Sequence, residues 1–354
     1  MKELDFEQYI RVGEPDQKEK SIAWSIGIGL QQVDGLTPSQ YLYEIARRNI
    51  EGEITIKEAK KLIDSYYESK TIRTEEEKKE KEADKVSSRI TELIEEKSFS
   101  FSINQILSIH GRLFKDVLSS VKPGKFRNYN ITKKEWALDG DTVMYVPAEL
   151  IEETLKYDLE TEKKFDYSKL SKEEVVTHFA QFVANIWQVH PFGEGNTRTT
   201  AVFTIKYLRT LGFNIGNEPF ETYSWYFRNA LVRANYTNIQ KGIYSDLTYL
   251  ERFFRNFLLG EHNELKNRFT HIRYTEKIAA KPHKSHSKIT VNLTKVQQGI
   301  LEAIDKDKNI SQTELAQKLS LTRETINRNM KKLKDQGIIK RVGADKNGHW
   351  EVLK

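Results

Sequence analysis

The chain has 354 residues, with 57 Lys and Arg against 51 Asp and Glu for a formal net charge of +6, 38% hydrophobic residues and no cysteine. That composition excludes a disulfide framework, a thiolate nucleophile and a thiolate zinc site, so any metal must be held by oxygen or imidazole, which favours magnesium with a nucleotide. No apolar run reaches the roughly 18 residues of a membrane span, and the opening Met-Lys-Glu-Leu-Asp-Phe-Glu lacks an apolar signal core, which reads as cytoplasmic with no membrane partner. The length predicts two or three domains, and so small a positive surplus on a long chain points only weakly to a polyanion.

Few Pro and Gly and repeated i, i+3, i+4 apolar spacing predict a mainly α-helical protein. Residues 1–95 read as an N-terminal helical region, with one helix over Pro38 to Asn49 and another capped by Thr55 that presents Ala59, Leu62, Ile63 and Tyr66 on one face. The run Thr74 to Lys85 is nearly all charged and reads as a solvated helix or hinge. Residues 96–270 hold the longest periodic helices, Ile103 to Leu118 and Glu173 to Val189, the second with Val176, Phe179, Ala180, Val183, Ile186 and Trp187 as a wide buried stripe. Between them, Gly124 to Val146 reads as strand, turn at Asp139-Gly140, and strand. In Tyr223 to Tyr236, the rings of Trp225, Tyr226, Phe227 and Tyr236 interleave with Arg228 and Arg233, which suits either core packing or the wall of a nucleobase pocket.

Residues 271–292, basic and interrupted by Pro282, fit a linker. Residues 293–354 resemble a winged helix-turn-helix: helices over Lys295 to Asp305, Gln312 to Leu319 and Arg323 to Gln336, then strands Ile338 to Val342 and His349 to Leu353 joined by a turn at Asp345 to Gly348. Thr322 can cap the third helix, whose Arg323, Asn327, Arg328, Lys331 and Lys332 are spaced to meet DNA, while Lys340, Arg341 and Lys346 of the wing follow the phosphate backbone. Ile326, Met330, Leu333 and Ile338 read as the core of this module. Protein contact or dimerisation is its other use, which leaves a homodimer open.

The chemistry is concentrated in residues 190 to 200, His-Pro-Phe-Gly-Glu-Gly-Asn-Thr-Arg-Thr-Thr. Pro191 ends the preceding helix, and Phe192 can anchor the loop by burying its ring. Gly193 and Gly195 permit backbone conformations in which consecutive N–H groups converge on a phosphate. A helix starting near Asn196 adds partial positive charge there, and Arg198 can grip a phosphate in bidentate geometry. Glu194 is a hard oxygen ligand suited to magnesium, and His190, half neutral or more at cellular pH, is the candidate general base.

This stretch resembles the signature of the Fic family, His-x-Phe-x-Asp/Glu-Gly-Asn-Gly-Arg-x-x-Arg, and the resemblance covers about residues 100 to 260. The resemblance implies a Fic-type helical bundle with a hairpin flap, here Gly124 to Val146, that lies over the site and holds a target segment as an added strand. It implies protein adenylyl transfer, AMP passing from ATP to a Tyr, Thr or Ser hydroxyl of a protein, the chain itself included. His190 then deprotonates the hydroxyl, Phe192 anchors the loop, Glu194 holds magnesium, the backbone of Gly193 to Asn196 with Asn196 forms the anion hole, and Arg198 contacts the phosphates. Two positions depart from the signature. Thr197 replaces a glycine and adds a hydroxyl beside the phosphates, and Ala201 replaces the second arginine. A branch resembling the Doc toxins transfers the terminal phosphate instead, and a DNA-binding regulator with a non-catalytic nucleotide site is a further alternative. Many relatives carry an inhibitory glutamate directed at that second arginine. Leu30 to Gly35 resembles the inhibitory motif loosely with Asp34 as the acid, and Ile50-Glu51-Gly52 more weakly, although either acid lacks its arginine with Ala201 in place.

Overall fold

A computed structural model describes residues 6–71, 74–118, 121–213, 218–274, 295–319, 321–335, 338–342 and 349–352. Residues 1–277 and 278–354 form two separate units. In the first, the helices are α1 (Glu7–Val12), α2 (Pro15–Gly29), α3 (Gln40–Ile50), α4 (Ile56–Ser69), α5 (Glu75–Glu95), α6 (Ile103–Phe114), α7 (Ile151–Lys163), α8 (Lys172–Val189), α9 (Asn196–Thr210), α10 (Glu218–Thr222), α11 (Ser224–Ala234), α12 (Thr248–Leu259) and α13 (Asn267–Thr270). Short polar motifs start several of them. Thr55 with Glu58, Thr74 with Glu77 and Ser171 with Glu174 each form a reciprocal capping box, satisfying N–H groups that a helix start otherwise leaves unpaired. None of the described helices is long and apolar enough to cross a membrane.

The main core gathers Ile26, Val86, Ile90, Ile109, Leu113, Phe179, Val183, Trp187, Phe203, Leu208, Phe227 and Phe253, so α2, α5, α6, α8, α9, α11 and α12 share one apolar interior. Helix α9 runs through it, buried from Asn196 to Leu208. A smaller core of Trp24, Leu42, Ile45, Ala59, Ile63 and Tyr67 joins α2 to α3 and α4, and Trp24 Nε1 donates to Asn49 Oδ1 at 2.9 Å. The boundary expected at residue 95 falls at the last turn of α5, inside the main core.

Two regions differ from the sequence reading. Helix α5 begins in the charged run, but Asp84 and Val86 are already buried, and Asp84 accepts from Ser39 and the Tyr67 hydroxyl. The segment 124–146 turns at Asp139-Gly140, with Glu135 N–H donating to the Asp141 carbonyl, yet its arms form no strands among the described residues. Arg127 spans the two arms. Its guanidinium donates to the Tyr129 carbonyl on one arm and the Val146 carbonyl on the other, so a side chain bridges the arms where a backbone ladder was expected.

The second unit contains α14 (Lys295–Lys306), α15 (Gln312–Lys318), α16 (Arg323–Asp335) and an antiparallel pair, β1 (Ile339–Val342) with β2 (His349–Val352), in register Ile339 to Val352. Ile300, Ile304, Leu315, Ile326, Met330, Leu333 and Trp350 form its own core, and Thr322 Oγ1 accepts from Thr325 N–H at the head of α16. Asn327, Arg328 and Lys331 are exposed on α16, Lys340 pairs with Glu351 at 2.8 Å, and Arg341 lies over the Trp350 ring. The side chains of Arg323 and Lys332 lie outside the described residues, as do Lys346, the turn at Asp345 to Gly348 and residues 275–292 of the expected linker. Because each unit buries its own apolar cluster, a fragment ending at Lys277 is expected to melt cooperatively without residues 278–354. Loss of a sigmoidal thermal transition by circular dichroism in that fragment would contradict this.

Candidate active site

Trp187, in the last turn of α8, organises the loop that follows. Its carbonyl accepts from His190 N–H and lies 3.1 Å from His190 Nδ1, and its indole Nε1 donates to Thr197 Oγ1 at 3.0 Å. A carbonyl only accepts, so Nδ1 carries the proton and Nε2 keeps a lone pair, the tautomer a base requires. His190 leaves the helix in the left-handed region at φ 48°, a strain of about 1–3 kcal/mol for a residue with a Cβ that the surrounding contacts must hold. The ring lies 4.1 Å from Tyr145 and edge-on to Trp187, and the residue is 2% exposed. Burial, then the charge of Lys133, with Arg228 and Arg127, holds His190 well below the ordinary imidazole pKa, so the ring is neutral.

Two further residues brace the loop. Arg127 N–H donates to the Pro191 carbonyl at 2.9 Å and its Nε to the His190 carbonyl at 2.8 Å, in addition to bridging the arms of 124–146. His110 stacks on Phe192 at 3.7 Å; its Nδ1 accepts from Gly124 N–H at 2.9 Å, which leaves Nε2 to donate to the Glu194 carbonyl at 3.1 Å. Burial pushes the His110 pKa down to about 4. The Asn196 amide turns back on the loop, Oδ1 accepting from Phe192 N–H at 2.9 Å and Nδ2 donating to the Phe192 carbonyl at 2.7 Å. Its side chain therefore fixes loop shape, whereas the N–H groups of Gly193, Glu194 and Gly195 make no hydrogen bond among the described residues. Those three donors lie just ahead of the start of α9, the arrangement an anion needs. Gly195 has φ 74°, and a Cβ there would lie 2.3 Å from the Phe114 ring; one on Gly193 would lie 2.5 Å from the Tyr129 hydroxyl.

Arg198 is 2% exposed, with its guanidinium over Phe114 at 4.8 Å. Nη1 donates to Gln31 Oε1 at 3.0 Å and Nη2 to Glu82 Oε1 at 2.6 Å, while Nε lies 2.9 Å from Asp34 Oδ2 without the angle of a hydrogen bond. The other oxygen of Asp34 accepts from Arg228 Nη1 at 3.0 Å. Arg228 in turn holds the buried Glu135 with two contacts of 3.1 Å and donates to the Val33 carbonyl. Desolvation acts to raise the Asp34 pKa, but Arg198, Arg228 and Lys133 outweigh it and the group stays low and ionised.

These contacts place four residues that the sequence singled out. Asp34 does find an arginine despite Ala201, since Arg198 and Arg228 share it, and Ala201 is buried in the core. The Thr197 hydroxyl is taken up by Trp187. Tyr236 donates to Asp141 Oδ2 at 2.6 Å and closes the turn of 124–146. Glu51, the weaker inhibitory candidate, pairs with Arg47 one turn back. Glu194 is exposed and makes no ion pair among the described residues, which contain no cluster of three or more His, Asp or Glu able to hold a metal. A single carboxylate suffices for magnesium that keeps water and phosphate oxygens as its other ligands. The sequence reading missed Arg127, Glu82, Gln31 and Lys133, and it named Arg228 only beside the aromatic rings.

Residues 100–208 match the Fic/DOC family, and residues 293–340 match a winged helix-turn-helix DNA-binding family. Among solved structures, the chain is similar to the N-terminal FIC domain of Bep8, a VirB-translocated Bartonella effector protein from Bartonella sp. 1-1C. The two are 20% identical, the likeness covers 53% of this chain and 88% of that one, and the TM-score is 0.41. No curated protein matches.

Gly195→Ala combines a left-handed backbone with a collision against Phe114, so it is expected to lower unfolding free energy by about 2 kcal/mol or more in urea melts. The two buried imidazoles give a further expectation. Below about pH 6.5 the unfolded chain takes up protons at His110 and His190 that the folded chain refuses, so stability falls as pH drops from about 6.5 toward 4. The slope of urea midpoint against pH should be shallower in His190→Ala.

Proposed function

We propose that this chain, which carries a Fic/DOC domain over residues 100–208 and a winged helix-turn-helix module over residues 293–340, is a protein adenylyltransferase held closed by its own N-terminal helices. The observation that carries this reading is the neutral His190 ring, with Nδ1 committed to the Trp187 carbonyl and Nε2 left as a base, at the head of a loop whose N–H groups are unbonded. His190 Nε2 takes the proton of a Tyr, Thr or Ser hydroxyl, whose oxygen then bonds to the α-phosphorus of ATP as the bond to the bridging oxygen breaks and pyrophosphate leaves. The loop amides of Gly193 to Gly195 stabilise charge on the phosphate oxygens through preorganised dipoles. Glu194 would hold magnesium, which neutralises phosphate charge when bound.

Arg198 is the phosphate contact in this scheme, and Asp34 and Glu82 now occupy it. Closure is thus competition between two carboxylates of the chain and the phosphates of the nucleotide. The target protein is held at 124–146, where Met144 is 85% exposed and the arms carry no ladder of their own. In the second unit, α16 is read as lying in the major groove of DNA with Asn327, Arg328 and Lys331 toward the duplex.

ATP labelled separately at the α and γ positions, incubated with the protein and a cell lysate, tests the reaction. Label from α alone is expected; label from γ alone would replace adenylylation with phosphate transfer of the Doc type, and label from neither would leave a DNA-binding regulator. His190→Ala should lower transfer by about 10²- to 10⁴-fold, with the loss persisting at temperatures well below the variant's own melting transition. Glu194→Ala should weaken magnesium-dependent ATP binding. Asp34→Ala should raise transfer about ten- to a hundredfold, the worth of a charge-assisted contact removed from competition. For the second unit, removing Arg328 and Lys331 together should weaken duplex binding and reduce its salt slope by about two.

A further inference from the structure

Asp34 sits between two guanidiniums that come from different parts of the fold. Arg198 is the motif arginine on α9, and Arg228 belongs to α11, 30 residues further along the chain. One carboxylate oxygen faces each of them, at 2.9 and 3.0 Å. A compact anion bridged by two arginines defines a site for any compact anion of similar size, and a phosphate group presents the same pair of oxygens to the same two forks. The chain already fills this site with an anion of its own. Where the second arginine of the motif would stand, Ala201 is buried in the core and offers nothing.

We infer that Arg228 is the second phosphate-binding cation of the nucleotide site, taking in space the role that position 201 cannot take in sequence. The inference rests on the adenylyltransferase reading above and adds a residue to it. Arg228 is held ready by Glu135, a buried carboxylate that fixes the guanidinium through two contacts and leaves Nη1 turned to Asp34. When Asp34 withdraws, Arg198 and Arg228 both lose a counter-charge at one place, and a phosphate restores both at once. Release of the lock and capture of the nucleotide are the same exchange.

The test uses the full chain with Asp34→Ala, so that the site is open, and measures ATP-magnesium binding by calorimetry over a range of salt. Arg228→Gln alone would strand Glu135, so it is paired with Glu135→Gln, and Arg228→Lys is made separately to keep the charge. The double Gln variant should bind ATP about tenfold more weakly or worse, with a shallower salt dependence, and Arg228→Lys should recover part of the loss. Unchanged ATP affinity and salt slope in a folded double variant would overturn the assignment while leaving the nucleotide site standing. So would loss of affinity that follows only a fall in melting temperature and that lysine does not relieve. Failure of the Asp34→Ala chain itself to bind ATP would overturn the nucleotide reading, and the role of Arg228 with it.

Discussion

A guanidinium removed from water must be met by opposite charge and by acceptors for its N–H groups, because an uncompensated buried cation costs several kcal/mol. Arg198, at the head of the central helix, imposes that requirement on two separate elements. The 3-10 turn Leu30–Asp34 that follows α2 supplies Gln31 and Asp34, and α5 supplies Glu82. The N-terminal helices are therefore part of the site's electrostatics, joined to it through Arg198 and Arg228. Their apolar faces enter the main core through Ile26, Val86 and Ile90, so the acids are delivered by elements already fixed in place.

The loop at 190–195 is held by carbonyls more than by side-chain packing. Trp187, His190, Pro191 and Glu194 each offer a backbone oxygen, and these are met by the His190 ring, Arg127 and His110. An arginine that spends its donors on carbonyls contributes rigidity, and the left-handed turn at His190 depends on that rigidity. The N–H groups of Gly193 to Gly195 stay without a hydrogen bond among the described residues, the arrangement an anion site needs.

The loop was legible because its chemistry lies in nine contiguous residues whose types each have a narrow physical use. The helix start at Thr55 was legible for a similar reason, since a capping box is local. What could not be read depended on distance in the chain. Glu82 is one acid among many in a charged run, and nothing local distinguishes the one that faces Arg198. Asp34 was singled out within Leu30 to Gly35, but its arginine was sought at Ala201, three residues past Arg198, when Arg198 itself and Arg228 of α11 supply the partners. The alternation around Val143 to Val146 suited a strand, but side chains meet the carbonyls there: Thr142 that of Val143, Gln188 that of Met144 and Arg127 that of Val146.

Helix α9 grips α5 at both of its ends. Near the first turn, Arg198 reaches Glu82; near the last, Lys206 donates to the carbonyls of Leu93 and Glu96 at 2.6 and 2.7 Å, and Arg209 donates to that of Ile94. The lower grip closes carbonyls that a helix end leaves open and involves no acid that a nucleotide could displace. Glu82 lies about 20 Å up the helix from that grip at 1.5 Å per residue. The fold thus moors the carboxyl-terminal end of α5 to α9 by contacts that are independent of the acid facing Arg198.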